Sequence, residues 1–170
     1  MISALSELIV REASTSDAVP LANILNAIIE AGGTTAMEAP LNAVEFTEHF
    51  LCGSDVISCA VAVDPANSEP VGFHALKRYA GLPEAWGADI ATFARMKRKL
   101  PGVGTALFAA TKAKSRKLGL VNINAAIRAD NRVGLAFYEK MGFRTYETLR
   151  RVPLKDGTPV DRILKRYDVV

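Results

Sequence analysis

The order of the apolar segments constrains the fold of this chain more than any other sequence feature. Residues 55–63, 69–79 and 86–96 are three successive segments of strand character, and the turn-rich DPANSEP between the first two predicts a hairpin. The third segment leads directly into a glycine-rich turn and a helix. Strands in succession, followed by alternating helices and strands, predict an α/β domain with a mixed sheet.

The remaining segments extend the predicted order to βααβββαβαββ. Capping residues, terminal glycines and apolar periodicity indicate four helices and four further strands. The helices cover residues 15–33, 42–51, 103–118 and 131–142, and the strands cover residues 7–14, 120–129, 143–154 and 160–170. The sequence has no internal repeat, low-complexity segment or linker, so we expect residues 1–170 to form a single domain.

Metal sites, disulfides and membrane segments find no support in the sequence. Cys52 and Cys59 do not form a CxxC pair, and His49 and His74 are not spaced as metal ligands, so we expect neither a metal nor a disulfide. The N-terminal segment lacks a basic region followed by a long apolar core, and no run of 18 apolar residues occurs. We therefore expect a cytoplasmic protein with no membrane partner.

The net charge of +3 conceals an asymmetry along the chain. Residues 90–129 contain nine Lys or Arg and no Asp or Glu, and subtracting these nine charges leaves −6 for the rest of the chain. This segment is suited to an anion, with a solvated basic helix face as the alternative. A nucleic-acid-binding surface would require aromatic residues interleaved with the basic ones, or a known motif. Phe108 is the only aromatic residue in residues 95–117, so we expect no nucleic-acid partner.

The sequence KLPGVG, residues 99–104, is a candidate phosphate cradle. A strand that passes through a glycine turn into a helix exposes free N–H groups, to which the helix dipole adds partial positive charge. Gly102 and Gly104 lack the Cβ atoms that would keep an oxygen from the backbone, and residues 97–99 add three basic side chains. Walker A and GxGxxG spacings are both absent, since the next glycine is Gly119. An ordinary helix entry is the alternative interpretation.

Helical spacing divides residues 131–142 into two faces. Val133, Ala136, Phe137 and Met141 have the spacing of a core stripe, whereas Tyr138 lies on a neighbouring face. The spacing predicts that Tyr138 does not point into the core.

Asp89, the KLPGVG turn at residues 99–104 and DNRVGLAFYEKMGF at residues 130–143 follow one another along the chain. Together these three motifs resemble the GCN5-related N-acetyltransferase (GNAT) family. KLPGVG resembles the pyrophosphate loop Q/R-x-x-G-x-G/A, with Lys99 in place of Gln or Arg. Asp89 stands where many members carry an acidic residue on the fourth strand. DNRVGLAFYEKMGF resembles the segment N-x-x-A-x-x-x-Y-x-K-x-G-F, with Gly134 in the usual Ala position. The likeness is specific over residues 86–143, with a weaker similarity to phosphinothricin-type amino-acid acetyltransferases upstream.

The resemblance implies a mostly antiparallel mixed sheet flanked by helices, in which two central parallel strands splay apart. It also implies acetyl-CoA as the cofactor, with its pyrophosphate on backbone N–H groups, its arm along the splayed strand and its 3′-phosphate on the basic helix face. The cofactor-binding residues that it implies are Phe93, Arg95, Lys99, Gly102, Val103, Gly104, Thr105, Asn131 and Tyr138.

The resemblance further implies two catalytic residues. Asp89 would take a proton from the attacking amine, directly or through water, and Tyr138 would protonate the departing CoA thiolate. Glu84 or His74 is the next candidate for the base, and free N–H groups near Arg95 would stabilise the oxyanion.

Each of these residues also has a purely structural interpretation. Asn131 would be a helix cap, Tyr138 a rim aromatic, and Asp89 an ion-pair partner of Arg95 or Lys77.

The acceptor implied by the resemblance is the amine of a small molecule such as an amino acid or an analogue. A protein or peptide N-terminus is the first alternative, and a non-catalytic acyl-CoA sensor is another. A homodimer through the C-terminal strands, an assembly common in the family, is also allowed by the resemblance.

Overall fold

A computed structural model describes residues 7–83 and 86–170. The strands are β1 (Ile9–Glu12), β2 (Val56–Val63), β3 (Pro70–Lys77), β4 (Gly87–Ala94), β5 (Asn122–Arg128), β6 (Arg144–Pro153) and β7 (Pro159–Asp168). The helices are α1 (Ala18–Ala31), α2 (Ala43–Phe46), α3 (Val103–Lys117) and α4 (Arg132–Lys140), with a 3₁₀ turn over Thr15–Asp17 and a π-helical segment over Thr47–Cys52. The predicted βααβββαβαββ order is confirmed.

Within the described residues, the strands form one sheet in the order β1-β2-β3-β4-β5-β7-β6. All neighbouring strands run antiparallel except β4 and β5, which run parallel. The predicted mixed, mostly antiparallel sheet is therefore confirmed. None of the described helices is long and apolar enough to span a membrane.

The parallel pair β4 and β5 separates after a short contact. Pairing covers only Gly87 with Asn122, Ala88 with Ile123, and Asp89 with Asn124, although β4 continues to residue 94. The strands therefore splay beyond Asp89. We call the opening between residues 90–94 of β4 and the end of β5 the strand gap.

The sheet separates two layers of helices. Helix α1 and the segment after it pack on Phe73 and Phe93, whereas α3 and α4 pack on the other face with Phe108 and Tyr138. Because side chains alternate along a strand, odd-numbered residues of β4 from Asp89 face the α1 layer and even-numbered residues face the α3 layer. One strand thus contributes side chains to both layers.

The predicted core face of α4 is right in part. Phe137 and Met141 pack against the core as expected, but Val133 is 82% exposed, and Tyr138 is only 7% exposed and belongs to the core. The physical reason is that this short helix packs through its Tyr138 side against Phe143 and the sheet, which apolar spacing alone does not show.

Candidate active site

The backbone of β4 divides its hydrogen-bonding groups between β3 and the strand gap. The Arg95 N–H donates to the Val71 carbonyl at 2.8 Å, and a Cβ built on Gly72 would lie 2.8 Å from the Phe93 carbonyl oxygen. Since antiparallel pairs alternate with period two, the polar groups of Phe93 and Arg95 face β3. The expected contact of a ligand with backbone around Phe93 and Arg95 therefore cannot use the N–H groups of these two residues themselves.

The same alternation turns the next backbone groups in the opposite direction. The N–H and C=O groups of Thr92 and Ala94 face the side of β4 from which β5 has diverged. These groups, rather than those of Phe93 and Arg95, are available to a ligand in the strand gap.

The glycine turn opens α3 with unused backbone donors. Gly102 is the N-cap with a φ of 80°, and the first helical hydrogen bond runs from the Ala106 N–H to the Gly102 carbonyl at 2.9 Å. The N–H groups of Val103, Gly104 and Thr105 precede this ladder. The first turn holds no acidic residue, and a Cβ built on Gly102 would meet no atom within 4 Å. The turn is therefore open and suited to an anion.

The two glycines of the turn serve different purposes. A Cβ on Gly104 would lie 2.6 Å from the Phe137 ring, so the absence of a side chain here allows α4 to pack against the first turn of α3. The left-handed backbone at Gly102 explains that glycine by conformation instead. Only Gly102 borders open space.

Some basic side chains near the turn are held by hydrogen bonds within the protein, and others are free within the described part of the chain. The Arg95 guanidinium donates to Glu69 at 3.2 Å and to the Arg98 carbonyl at 3.0 Å, so it holds the loop in shape. Lys97 and Lys99 are exposed, and no described carboxylate pairs with either. These two lysines supply mobile charge beside the turn.

The basic residues in the last turns of α3 lie far from the glycine turn. Lys114 is 11 residues beyond Val103, which corresponds to about 16 Å of helix. Its ammonium group pairs with Glu12 at 2.6 Å. A phosphate on the glycine turn would therefore be served by Lys97 and Lys99 rather than by this end of the helix.

Asp89 lies where the pairing of β4 with β5 ends. Its Oδ1 accepts a hydrogen bond from Asn124 Nδ2 at 2.7 Å, and the Tyr146 hydroxyl donates to Asn124 Oδ1. Burial raises the pKa of Asp89 to about 6, against smaller opposing effects of the Asn124 hydrogen bond and the Lys77 charge. The carboxyl is thus oriented by an amide and keeps a second oxygen available.

The ion pairs considered for Asp89 are made with other carboxylates. Lys77 Nζ lies 3.2 Å from Asp55, and the Arg95 guanidinium lies 3.2 Å from Glu69. No described cation forms a salt bridge with Asp89. Its carboxyl therefore has the environment of a proton acceptor rather than of a structural ion pair.

Tyr138 approaches β4 from the opposite layer. Its hydroxyl lies 2.7 Å from Thr92 Oγ1. Thr92 lies on the part of β4 that pairs with β3 but no longer with β5. Burial raises the pKa of Tyr138, so the phenol keeps its proton at neutral pH. Tyr138 is a buried phenol beside the strand gap and not a rim aromatic.

The two reserve candidates for the base have different outcomes. His74 is 1% exposed, faces the α3 layer through its register with Thr92, and has its pKa lowered to about 3 by burial. An imidazole that stays neutral and lies on the face opposite Asp89 is not placed to take a proton from the same acceptor. Glu84 lies outside the described residues.

Asn131 has both amide atoms engaged. Its Oδ1 accepts from the Gly134 N–H at 2.9 Å, which caps α4, and its Nδ2 donates to the Thr34 carbonyl at 2.9 Å. A Cβ on Gly134 would lie 2.4 Å from Asn131 Nδ2, so the helix glycine makes room for the cap rather than for a ligand. Asn131 also anchors the segment after α1.

The α1 layer contains a groove of about 370 Å³ lined by Leu41, Glu45, Glu48, His49, Asp55 and Lys77. Lys77 pairs in register with Asp89, so the groove adjoins the face of β4 that carries Asp89. On this α1 side of the sheet, residues 33–41 reach the hairpin between β6 and β7, because Glu38 Oε2 accepts from the Lys155 N–H at 2.8 Å. We call residues 33–41 and this hairpin the two rims of the α1 side.

Sequence reasoning missed Asn124 and the role of Thr92. Both are polar residues within otherwise apolar strands, and that exception was the available signal. Their partners could not be inferred because they depend on the parallel register of β4 with β5 and on the face that α4 presents.

The statistical model of one protein family, described as the acetyltransferase (GNAT) family, matches residues 32–143. No curated protein sequence matches the chain. Many solved structures share its fold. An N-acetyltransferase from Staphylococcus aureus Mu50 is 18% identical, with a TM-score of 0.83 over 97% of this chain and 100% of the other.

Two further solved structures carry more specific descriptions. A phosphinothricin acetyltransferase from Sinorhizobium meliloti, in complex with acetyl-CoA, is 17% identical, with a TM-score of 0.79 over 95% of this chain and 88% of the other. A ribosomal-protein-alanine N-acetyltransferase from Brucella melitensis is 20% identical, with a TM-score of 0.79 over 95% and 99%. At these identities the likeness concerns the fold.

Proposed function

The chain belongs to the acetyltransferase (GNAT) family, and we propose that it transfers an acetyl group from acetyl-CoA to the amine of a small molecule such as an amino acid or an analogue. One observation carries the proposal. Asp89 and Tyr138 lie on opposite faces of one strand, at the point where its parallel neighbour diverges. A proton acceptor and a proton donor are thereby available on the two sides of a single opening.

The residues around the strand gap fit acetyl-CoA. The open backbone at Gly102 and the free N–H groups of Val103 to Thr105 would hold the pyrophosphate, with Lys97 and Lys99 adding charge. The backbone groups of Thr92 and Ala94 would pair with the amides of the arm. When bound, acetyl-CoA supplies an acetyl group activated as a thioester.

Asp89 would act as the general base on the α1 side. The amine attacks the carbonyl in its neutral form, and its N–H becomes acidic as the C–N bond forms, so a base that accepts this proton stabilises the transition state. With a pKa of about 6, the Asp89 carboxyl is mostly ionised at pH 7 yet is a far better proton acceptor than an ordinary aspartate. Asn124 holds one carboxylate oxygen and leaves the other for the amine or for a bridging water.

Tyr138 would act as the general acid on the α3 side. Its buried phenol keeps its proton at neutral pH and lies beside the strand gap through its contact with Thr92. A donor at this position can give its proton to the departing sulfur. The base and the acid would then serve different atoms without competing for one proton.

Two features of the α1 side support a small, basic acceptor. The contact between Glu38 and the Lys155 N–H bridges the two rims, which limits the room for an extended peptide. Three carboxylates, Glu45, Glu48 and Asp55, and one cation, Lys77, line the adjoining groove, and this net negative lining attracts protonated amines from solution.

A screen of thiol release from acetyl-CoA tests the proposal, with amino acids, other small amines and short peptides as acceptors. We expect turnover with one small-amine class, and a loss of about 100-fold in kcat for Tyr138→Phe with the KM for acetyl-CoA unchanged. Tyr167→Phe is the matched control, because Tyr167 packs in the same core on the neighbouring strand β7.

Two outcomes would contradict parts of this account. Turnover with peptides alone would show that the acceptor is a peptide N-terminus and not a small molecule. Binding of acetyl-CoA without transfer to any amine would show that the protein is an acyl-CoA sensor and not an enzyme.

A further inference from the structure

Behind Tyr138, three polar side chains continue its hydrogen bond into the core. Thr92 Oγ1 contacts both the Tyr138 hydroxyl at 2.7 Å and His74 Nε2 at 2.8 Å. On the other side of the imidazole, Nδ1 lies 3.4 Å from the Thr111 hydroxyl of α3. These contacts form a hydrogen-bond chain, called the chain below, that runs from the strand gap through β4 and β3 to α3.

The imidazole in this chain is neutral. His74 is 1% exposed, and its ring lies between those of Phe108 and Phe137, with centroids 6.4 and 6.3 Å away. Burial among apolar groups lowers the pKa of His74 to about 3. A neutral imidazole has one N–H donor and one acceptor nitrogen, so the chain must run in one of two directions.

Thr111 determines in which of the two directions every donated proton has an acceptor. Its side chain is 3% exposed, and His74 is the only hydrogen-bond partner of its hydroxyl among the described residues. If Thr111 donates to Nδ1, then Nε2–H donates to Thr92, and Thr92 donates to Tyr138. In the reverse direction the buried Thr111 proton has no acceptor, which is costly. The first direction leaves the proton of Tyr138 unused within the chain.

We propose that Thr111 holds His74 as the Nε2–H tautomer, so that Thr92 donates to Tyr138 and directs the phenol proton into the strand gap. This inference rests on the proposed function, in which Tyr138 is the general acid. When the O–H bond of Tyr138 breaks, its proton goes to the departing sulfur and its electron pair stays on the phenolate oxygen. That oxygen still accepts from Thr92, and no other proton leaves the chain. Thr92, His74 and Thr111 are positioning residues.

The role in the reaction is tested by Thr92→Val, which keeps the shape of the side chain and removes the hydroxyl. We expect kcat to fall roughly tenfold, the size of effect that one lost hydrogen bond produces, with the KM for acetyl-CoA unchanged. Thr92→Ser restores the hydroxyl and should recover most of the loss. Ser115→Ala is the control, since the Ser115 hydroxyl donates to the backbone carbonyl of Thr111 and to none of the side chains that form the hydrogen-bond chain.

The outcomes separate this inference from the proposed function. Wild-type kcat in Thr92→Val, together with a large loss in Tyr138→Phe, would overturn the positioning role and leave Tyr138 as the acid. Wild-type kcat in both variants would overturn the acid assignment as well.

The tautomer is tested without any activity, by nitrogen NMR of the ligand-free protein labelled in its two histidines. We expect His74 to carry its proton on Nε2 alone between pH 5 and 9, and His49→Gln identifies its signals. Thr111→Val should produce a mixture of tautomers, and Thr111→Ser should restore the single form. A proton on Nδ1, or a mixture in the wild-type protein, would overturn the inference whatever reaction the protein performs.

Discussion

At Asp89, burial and hydrogen bonding act on the same carboxyl in opposite directions, and burial prevails. Because burial raises the pKa of Asp89 to about 6, the carboxylate is lost as the pH falls through 6. With an acceptor whose amine pKa lies well above 7, both the carboxylate and the neutral amine are required. We expect the logarithm of kcat/KM to rise with a slope of two below pH 6 and with a slope of one above it.

The variant Asp89→Asn identifies the origin of the steeper limb. It should leave a slope of one across the whole range, because only the amine then titrates. Asp64→Asn is the control, since Asp64 lies in the turn between β2 and β3 and lines no part of the groove. A slope of two that persists in Asp89→Asn would remove the base assignment.

Folding stability near Asp89 follows the opposite trend with pH. The folded state holds this proton up to about pH 6, whereas the unfolded state releases it near 3.8. Between these values the folded state binds more protons, so its free energy of unfolding falls as the pH rises. Activity and stability therefore change in opposite senses over the same interval.

Single residues were predictable where a motif marked them. Asp89 and Tyr138 were predicted from the sequence as the acid–base pair, and this assignment stays a prediction. The backbone donors could be located only to the neighbourhood of Phe93 and Arg95, because the alternation of a strand depends on its hydrogen-bond register with β3. Sequence shows which residues a strand contains but not which neighbour receives their N–H groups.

At the scale of elements, the start of α3 depends on its contact with α4. Gly104→Ala would place a Cβ 2.6 Å from the Phe137 ring, so we expect the free energy of unfolding to fall by about 1–3 kcal/mol. Denaturant unfolding measures this change. In a Phe137→Leu background the same substitution should cost less, because the smaller side chain can move aside. An equal loss in both backgrounds would show that the contact is not its cause.

The elements themselves were largely predictable, and so were the buried faces of α1 and α3, but the buried face of α4 was predictable only in part. Apolar periodicity and glycine punctuation identified every helix and strand in order, and the family resemblance drawn from three motifs is confirmed over residues 32–143. The burial of Tyr138 on α4 was missed because this side chain is amphipathic, and only packing against Phe143 decides that it is buried.

For the whole molecule, charge distribution should control cofactor affinity. Removing both exposed lysines of the glycine turn, in Lys97→Ala with Lys99→Ala, should weaken CoA binding several-fold, because each exposed ion pair contributes about 0.2–1 kcal/mol. The loss should shrink as salt is added. Calorimetric titration at two salt concentrations measures it.

The matched control removes two exposed basic residues away from α3. Lys140→Ala with Lys155→Ala changes the net charge equally but lies at the end of α4 and in the turn between β6 and β7. We expect CoA affinity close to that of the wild type. Equal losses in the two double variants would mean that total charge, and not the cradle, determines binding.

The central claim is that the arm of CoA binds along β4 in the strand gap, and amide hydrogen exchange measured by NMR tests it most directly. With CoA bound, we expect slower exchange at the N–H groups of Thr92 and Ala94 and at those of Val103 to Thr105. The N–H groups of Phe93 and Arg95, already paired with β3, should change little. CoA binding that leaves exchange at Thr92 and Ala94 unchanged would contradict the account.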